Sequence, residues 1–501
     1  MSKAEGNLLK AAPFDEPVHL APRGNSSYNP LHTFELPKGG ERQYAHQFAD
    51  MYFLRLAQLK PVLEEQAEEL WKDFELAGEK ARRVDRVLDV RQGELCWVIG
   101  TVYMELSMKP NILDDLTKEH WIAAPPAREK YISSTGLDEM MLEDESGRLR
   151  ITGETISRQS FVTGCIIAAL GTEQADGSFN IIATQSADLP RQPQRWERDD
   201  SEQAVESGNV TSKRKTSGKV AIVSGLEITG TAEDDVSLDL LMEYLTCEAA
   251  GPPTQTATGK ISRLILAGNS LSHSSPIPTR EEYASRKIES TRKHYGYDAS
   301  VYNATPAERL DQFLADVLPH LPITLLPGPS DPANVAIPQQ ALHPALFPLS
   351  RQYSSPPLQS NESREGLDSV TNPWEGDIEG WRVLGTGGQT VDDLLKYVEE
   401  GDALDVMDAM LRWRCIAPTA PDTLWCYPFQ DDDPLLLHEC PHIYFCGNQP
   451  KFGSRVIQGP ADQKVLLLSI PKFSETKTVV LVDMETMKVE TVRFEVVPPG
   501  T

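Results

Sequence analysis

Apolar positions along the chain follow two different periods, and the places where the period changes divide it into blocks. Residues 1–40 follow neither; they are rich in Pro, Ser and Asn, and a mostly disordered N-terminal arm is expected there. From Glu41 a helical spacing begins, with Tyr44, Phe48, Met51, Tyr52, Leu56 and Leu59 on one broad face. Pro61 interrupts it, and Val62, Leu63, Leu70, Trp71 and Phe74 resume it, so two amphipathic helices form a helical brace over 41–82. Across 83–189 the period is two. Leu95–Val102, Glu139–Asp144, Leu149–Ile151, Phe161–Gly171 and Phe179–Ala183 read as strands, with turns at Ser146-Gly147 and Asp176-Gly177. Residues 190–218 are polar and read as a linker. From Lys219 apolar strands alternate with helices. Val220–Val223, Ile261–Ala267 and Ile323–Leu326 each end on a loop, a helix is launched at Thr305-Pro306-Ala307-Glu308, and a run of strands closes the domain over 219–497.

The short strands of 83–189, with glycines at their bends, suggest a small Greek-key barrel of the OB type, and the second domain an α/β sandwich. The fold class is therefore mixed, an α+β barrel unit joined to an α/β unit. With 40% hydrophobic residues in 501, a sizeable core can be buried. No apolar run is long enough to span a membrane and no leader-like segment opens the chain, so no membrane association is expected. The seven cysteines are too sparse for a disulfide framework, match no zinc spacing, and read as buried thiols. The formal charge is −26, from 48 Lys and Arg against 74 Asp and Glu, which repels phosphate backbones at long range. Barrels of this type bind single strands by stacking bases on aromatics amid Lys and Arg. Trp97, Tyr103 and Phe179 are the candidates here, but the strands carry Glu and Asp, which favours docking to protein over DNA. Contact with DNA is expected to be weak or indirect. Lys213-Arg214-Lys215 is a short basic run in a polar loop.

Strands that stop at glycines place the next side chains on the C-terminal rim of a sheet, where open α/β sheets carry their chemistry. The rim loops are Ser224-Gly225-Leu226, Gly268-Asn269, Gly328-Pro329-Ser330-Asp331 and Gly447-Asn448-Gln449-Pro450. At these turns the chain resembles calcineurin-like metallophosphoesterases, whose loops read Asp-x-His, Gly-Asp-x-x-Asp, Gly-Asn-His-Asp/Glu, a lone His, and Gly-His-x-His. The glycines remain and nearly every ligand is gone; Asn269, His273, Asp331 and Asn448 are left as polar residues, and Pro450 stands where the last histidine belongs. No catalytic residue, no metal ligand set and no cofactor is expected. Gly385-Thr386-Gly387-Gly388 lacks the Gly-Lys-Ser/Thr ending of a phosphate loop and reads as a structural turn. Asp431-Asp432-Asp433 reads as a solvated surface turn. The alternative is an active metal-dependent phosphoesterase acting on nucleic acid or nucleotides through an unusual set such as His273, Asp331 and His442.

Longer motifs carry a second resemblance. Tyr44-Ala45-His46, Leu142-Glu143-Asp144, Val223–Leu226, Leu266–Asn269, Leu271-Ser272-His273, Pro338-Gln339-Gln340, Leu342-His343-Pro344, Thr419–Leu424 and the stretch from Glu439 to Ser454 resemble the small (B) subunits of DNA polymerase delta over nearly the whole length. The resemblance implies an OB barrel on a phosphoesterase-like sandwich without metal ligands, in a nuclear, non-catalytic accessory subunit for DNA replication, repair and translesion synthesis. It implies that such a chain holds the C-terminal metal-binding module of the catalytic subunit, bridges it to a third polymerase delta subunit, and is shared with the catalytic subunit of polymerase zeta. Candidate partner-binding residues are Trp425, Tyr427, Phe429, Tyr444 and Phe452.

Overall fold

The computed structural model describes residues 23–24, 26–44, 47–109, 128–133, 138–195, 218–229, 232–248, 252–272, 305–354 and 366–495. Strand β1 (Tyr28–Leu31) comes first, then helix α1 (Ala49–Trp71). After three two-residue strands at Glu75–Leu76, Glu79–Lys80 and Arg82–Arg83 come the main barrel strands: β2 (Leu95–Glu105), β3 (Glu139–Glu143), β4 (Arg148–Thr152), β5 (Ile166–Glu173) and β6 (Phe179–Gln185). They bond in the order β2-β3-β4-β6-β5, and β5 returns to β2 to close a barrel. Among these five strands only the β4–β6 pair is parallel, which is the OB arrangement, and a short strand at Arg82–Arg83 adds a parallel pairing to β2 at the sheet's edge. Its outer wall is covered by α1, whose Leu56, Leu59, Leu63, Ala67 and Trp71 sit on Trp97, Ile99 and Leu170.

In the second domain the order is β7 (Lys219–Val223), α2 (Ala232–Leu245), β8 (Ile261–Ala267), α3 (Thr305–Val317), β9 (Ile323–Leu326) and β10 (Leu367–Ser369). Next come β11 (Trp374–Ile378), β12 (Trp381–Thr386), α4 (Gln389–Leu394), α5 (Ala403–Arg412) and β13 (Ile443–Gln449). The last strands are β14 (Gly453–Gln458), β15 (Lys464–Pro471), β16 (Thr478–Asp483) and β17 (Val489–Arg493). Two sheets result, β10-β9-β8-β7-β16-β17 and β1-β11-β12-β13-β15-β14, each six strands wide. Central strands such as β8 and β13 are buried at every position, as parallel strands covered on both faces must be. One core lies between the sheets, with Ile222, Ile265 and Leu326 facing Val383, Phe445 and Leu468. Helices α2 and α3 cover the outside of the first sheet, and α4 and α5 the outside of the second. The domain is thus layered helix, sheet, sheet, helix.

Three expectations are corrected. The N-terminal arm is not structureless where it is described. Tyr28–Leu31 pairs with β11, and the Tyr28 hydroxyl donates to Asp368 at 2.5 Å while the Arg263 guanidinium lies 3.5 Å over its ring. Phe34 and Leu36 are buried as well. A strand whose partner lies more than 340 positions away leaves no local period to read. The brace is one helix, not two. Pro61 and Ala57, the residue whose carbonyl loses its donor, are both exposed, so the orphaned group is open to solvent while the opposite face stays packed. The linker begins docked. Gln192 donates to the Pro441 and Lys464 carbonyls at 2.9 and 2.8 Å, and Arg195 to that of Glu379 at 2.8 Å. His273, Lys213-Arg214-Lys215 and most of the linker lie outside the described residues.

Candidate functional site

The C-terminal ends of β7, β8 and β9 meet those of β12, β13 and β15 at one mouth of the sandwich. Gly447 lets the two rims touch, because a Cβ there would come within 2.2 Å of the Ala267 carbonyl oxygen. Gly225 has φ +61°, and a Cβ there would lie 2.8 Å from Asn448 Oδ1. Asn269 and Asn448 also adopt left-handed backbone, at φ 52° and 60°, which asparagine accepts better than most residues.

Several polar side chains at this mouth tie one loop to another, while Ser270 Oγ and Asn448 Oδ1 are buried without a hydrogen-bond partner. Ser224 Oγ accepts the Asn448 backbone N–H at 2.9 Å and reaches the Ile470 and Pro471 carbonyls at 3.2 and 3.1 Å. The Asn448 amide donates to the Gly387 carbonyl at 2.7 Å, and Asn269 Oδ1 accepts the Ser330 N–H at 3.1 Å. Asp331 is buried under Gly328 and accepts backbone N–H groups of Gly328 and Leu271 at 2.8 Å each and of Ser270 at 3.3 Å. Burial pushes its carboxyl up to about 6 against the pull of those donors. Leu226 turns away from the mouth into the core beneath α2 and α3. Pro450, just past the end of β13, is exposed.

One part of the mouth escaped sequence reasoning. Gln339 and Asn372, both buried, and the half-buried Gln389 form an amide cluster, with Asn372 Nδ2 donating to Gln339 Oε1 and Gln389 Oε1 at 2.9 Å each. Asn372 Oδ1 accepts the Gly387 N–H at 2.8 Å, which holds the Gly385–Gly388 turn. Gln339 stands in the Pro-Gln-Gln motif, which was the available signal, but the contact to Asn372 spans 33 positions.

The arrangement is a knot of amides, hydroxyls and backbone around the buried Asp331 carboxyl. Such groups cross-link loops; they do not supply the converging carboxylates and imidazoles that two cations need. Among the described residues no group of three or more His, Cys, Asp or Glu is placed to hold a metal ion. The alternative set is dispersed. His442 precedes β13, and its Nδ1 accepts the Arg382 N–H at 3.0 Å, so it sits one strand length, roughly 20 Å, from the mouth that holds Asp331. A cleft of about 1000 Å³ opens at that far end, between Arg195, Trp381, His442, Val456 and Met487.

The remaining predicted residues separate by burial. Trp425 is exposed and Phe452 half-buried, whereas Tyr427 and Phe429 are buried in the core between barrel and sandwich. Tyr444 is corrected outright: wholly buried on β13 beneath α5, it offers a partner no surface in this chain. Of the barrel's stacking candidates, Trp97 packs on Trp71 and Phe179 is fully buried. Tyr103 is enclosed by Arg148 at 4.4 Å and Lys109 at 5.1 Å. Asp433 corrects the surface-turn reading; it is fully buried and accepts from Arg55 Nε of α1 at 2.6 Å.

Comparison with known proteins bears on the whole length. A family model described as the OB-fold domain of the DNA polymerase delta subunit matches residues 47–184, a range that takes in α1. A second, for the B subunit of DNA polymerase alpha/epsilon, matches 220–454. The DNA polymerase delta small subunit of Saccharomyces cerevisiae is 32% identical over 496 residues, spanning 94% of this chain and 93% of that protein. That of Arabidopsis thaliana is 33% identical, spanning 94% and 96%. DNA polymerase delta subunit 2 of Drosophila melanogaster is 32% identical, spanning 90% and 94%. Likeness this even from end to end, through barrel and sandwich alike, makes the chain a member of the DNA polymerase delta small-subunit family.

Proposed function

We propose that the chain is a non-catalytic accessory subunit of DNA polymerase delta, acting in the nucleus in replication and repair. In this reading the sandwich is a calcineurin-like phosphoesterase that has lost its metal ligands. It holds the C-terminal metal-binding module of the catalytic subunit, bridges that module to a third subunit, and serves polymerase zeta in the same way. The observation that carries the reading is the state of the mouth: Ser224, Asn269, Asp331 and Asn448 tie loop to loop, and Leu226 faces the core. The formal charge of −26 fits a subunit that leaves the grip on DNA to its partners.

Purified protein incubated with Mn²⁺ or Mg²⁺ is expected to retain no stoichiometric metal and to hydrolyse neither oligonucleotides nor phosphodiester model substrates. Co-expressed with the polymerase delta catalytic chain, it is expected to co-purify in equal amounts. Turnover that disappears in Asp331→Asn would establish the phosphoesterase instead, and failure to associate with the catalytic chain would remove the accessory role.

A further inference from the structure

Three separate stretches bring large apolar side chains to one exposed place. Val335 is 78% exposed, Trp425 68%, Tyr44 64% and Phe48 45%. Backbone pairing joins them: Ile337 bridges Cys426, the Ile337 N–H donates to the Trp425 carbonyl at 2.8 Å, and the Tyr427 N–H to the Ile337 carbonyl at 2.9 Å. Tyr44 stands edge-on to Tyr427 at 5.3 Å, and the Gln43 N–H donates to the Tyr427 hydroxyl at 2.9 Å. Cys426 touches Met51 of α1 at 3.8 Å between the sulfurs, which brings the start of that helix and Phe48 to the same place. The cluster therefore lies across the seam, with Tyr44 and Phe48 from the barrel side and Val335 and Trp425 from the sandwich. Isolated exposed apolar residues are ordinary, but several brought this near to one another by backbone pairing and by the Tyr44–Tyr427 ring contact, with Trp and Tyr among them, suit a docking surface.

The surroundings select the occupant. Asp431 and Asp432 are exposed just beyond Phe429, which packs on Tyr427 at 5.1 Å, and Glu41 is exposed three positions before Tyr44. Of the cations in the same segment, Arg42 is turned onto the Pro37 carbonyl at 2.8 Å and Lys38 is exposed three positions before Glu41, so the acidic side of the border is that of Asp431 and Asp432. Together with the formal charge of −26, this gives an apolar patch with an acidic border. We propose that Tyr44, Phe48, Val335 and Trp425 form the docking surface for the polymerase catalytic subunit, engaged by a segment of that subunit with apolar side chains between Lys or Arg residues. The proposal rests on the accessory-subunit reading and adds the surface, its position across both domains and the chemistry of the docking segment.

The test titrates the full-length chain against its own polymerase delta catalytic chain, at low and at physiological salt. A doubled variant, Trp425→Ala with Val335→Asn, is expected to weaken binding about thirtyfold or more. Val236→Asn, at a 53% exposed position on α2, is expected to leave it unchanged. Asp431→Asn with Asp432→Asn is expected to slow association and flatten its salt dependence. Tyr44→Ser, on the other side of the seam, provides a second arm should the doubled variant melt early. Wild-type binding with both the doubled variant and Tyr44→Ser unaffected overturns this surface and leaves the accessory role standing. No wild-type binding overturns both. Sedimentation showing self-association that the doubled variant abolishes, with binding to the catalytic chain intact, would assign the patch to a second copy and overturn the proposal.

Discussion

At the scale of single residues the mouth of the sandwich is a problem in burying polar groups. Asp331 is a buried carboxyl held by backbone donors. Its pKa, about 6 when folded, lies above the unfolded value near 4, so the folded chain binds the proton more tightly. That contribution is fully present below about pH 4 and is lost as pH rises through about 6. Asp331→Asn does not titrate. The stability of wild type relative to this variant is therefore expected to fall by roughly 2 to 3 kcal/mol between about pH 4 and pH 7. Urea melts of the two proteins across that range check it, and a difference independent of pH would show that the carboxyl is not forced towards its neutral form. What could be read beforehand at this scale was backbone. Glycines at strand ends give turns from composition alone, so the rim loops were legible at Gly225, Gly268, Gly328 and Gly447. Side-chain direction was not. That Leu226 enters the core and that Asp433 lies fully buried depends on partners such as Arg55, which is 378 positions from it.

At the scale of elements the main lesson is helix α1. Propensity places a break at Pro61, yet Leu56 and Leu59 before it and Leu63, Ala67 and Trp71 after it share one buried face on the barrel. Packing along that face holds the helix continuous, at the cost of one backbone hydrogen bond on the side turned to water. Restoring the N–H should strengthen the helix while leaving the packed face untouched. Pro61→Ala is expected to stabilise the protein by about 1 to 2 kcal/mol, the gain being limited by the greater freedom of the unfolded chain. Thermal melts would read this as a higher midpoint; an unchanged or lower one would mean that the proline shapes the helix to fit the barrel. Strand β1 teaches the converse. A Pro-containing stretch with Asn and Ser around it looks structureless until β11 gives it an edge to join and Arg263 a ring to cover.

At the scale of the whole molecule the sequence suggests two bodies joined by a polar linker, and the structure joins them through a shared hydrophobic cluster. Met51, Val102 and Phe161 on the barrel side share a cluster with Met407, Tyr427 and Tyr444 of the sandwich. The Arg55–Asp433 pair crosses the same seam, with Arg55 also donating to the Ala420 carbonyl at 2.6 Å. A buried pair of this kind contributes little over an apolar replacement, but breaking one half of it leaves the other charge without compensation. Asp433→Ala is therefore expected to cost roughly 3 to 5 kcal/mol, whereas Arg55→Met combined with Asp433→Leu should cost much less. Because the seam is the common core, the loss should change the form of unfolding as well as its midpoint. Wild type is expected to show a single calorimetric transition, and Asp433→Ala two, as the domains uncouple. Two transitions already in wild type would mean that the seam is too weak to couple the domains, and a partner spanning Tyr44 and Trp425 would then itself have to bring them into register.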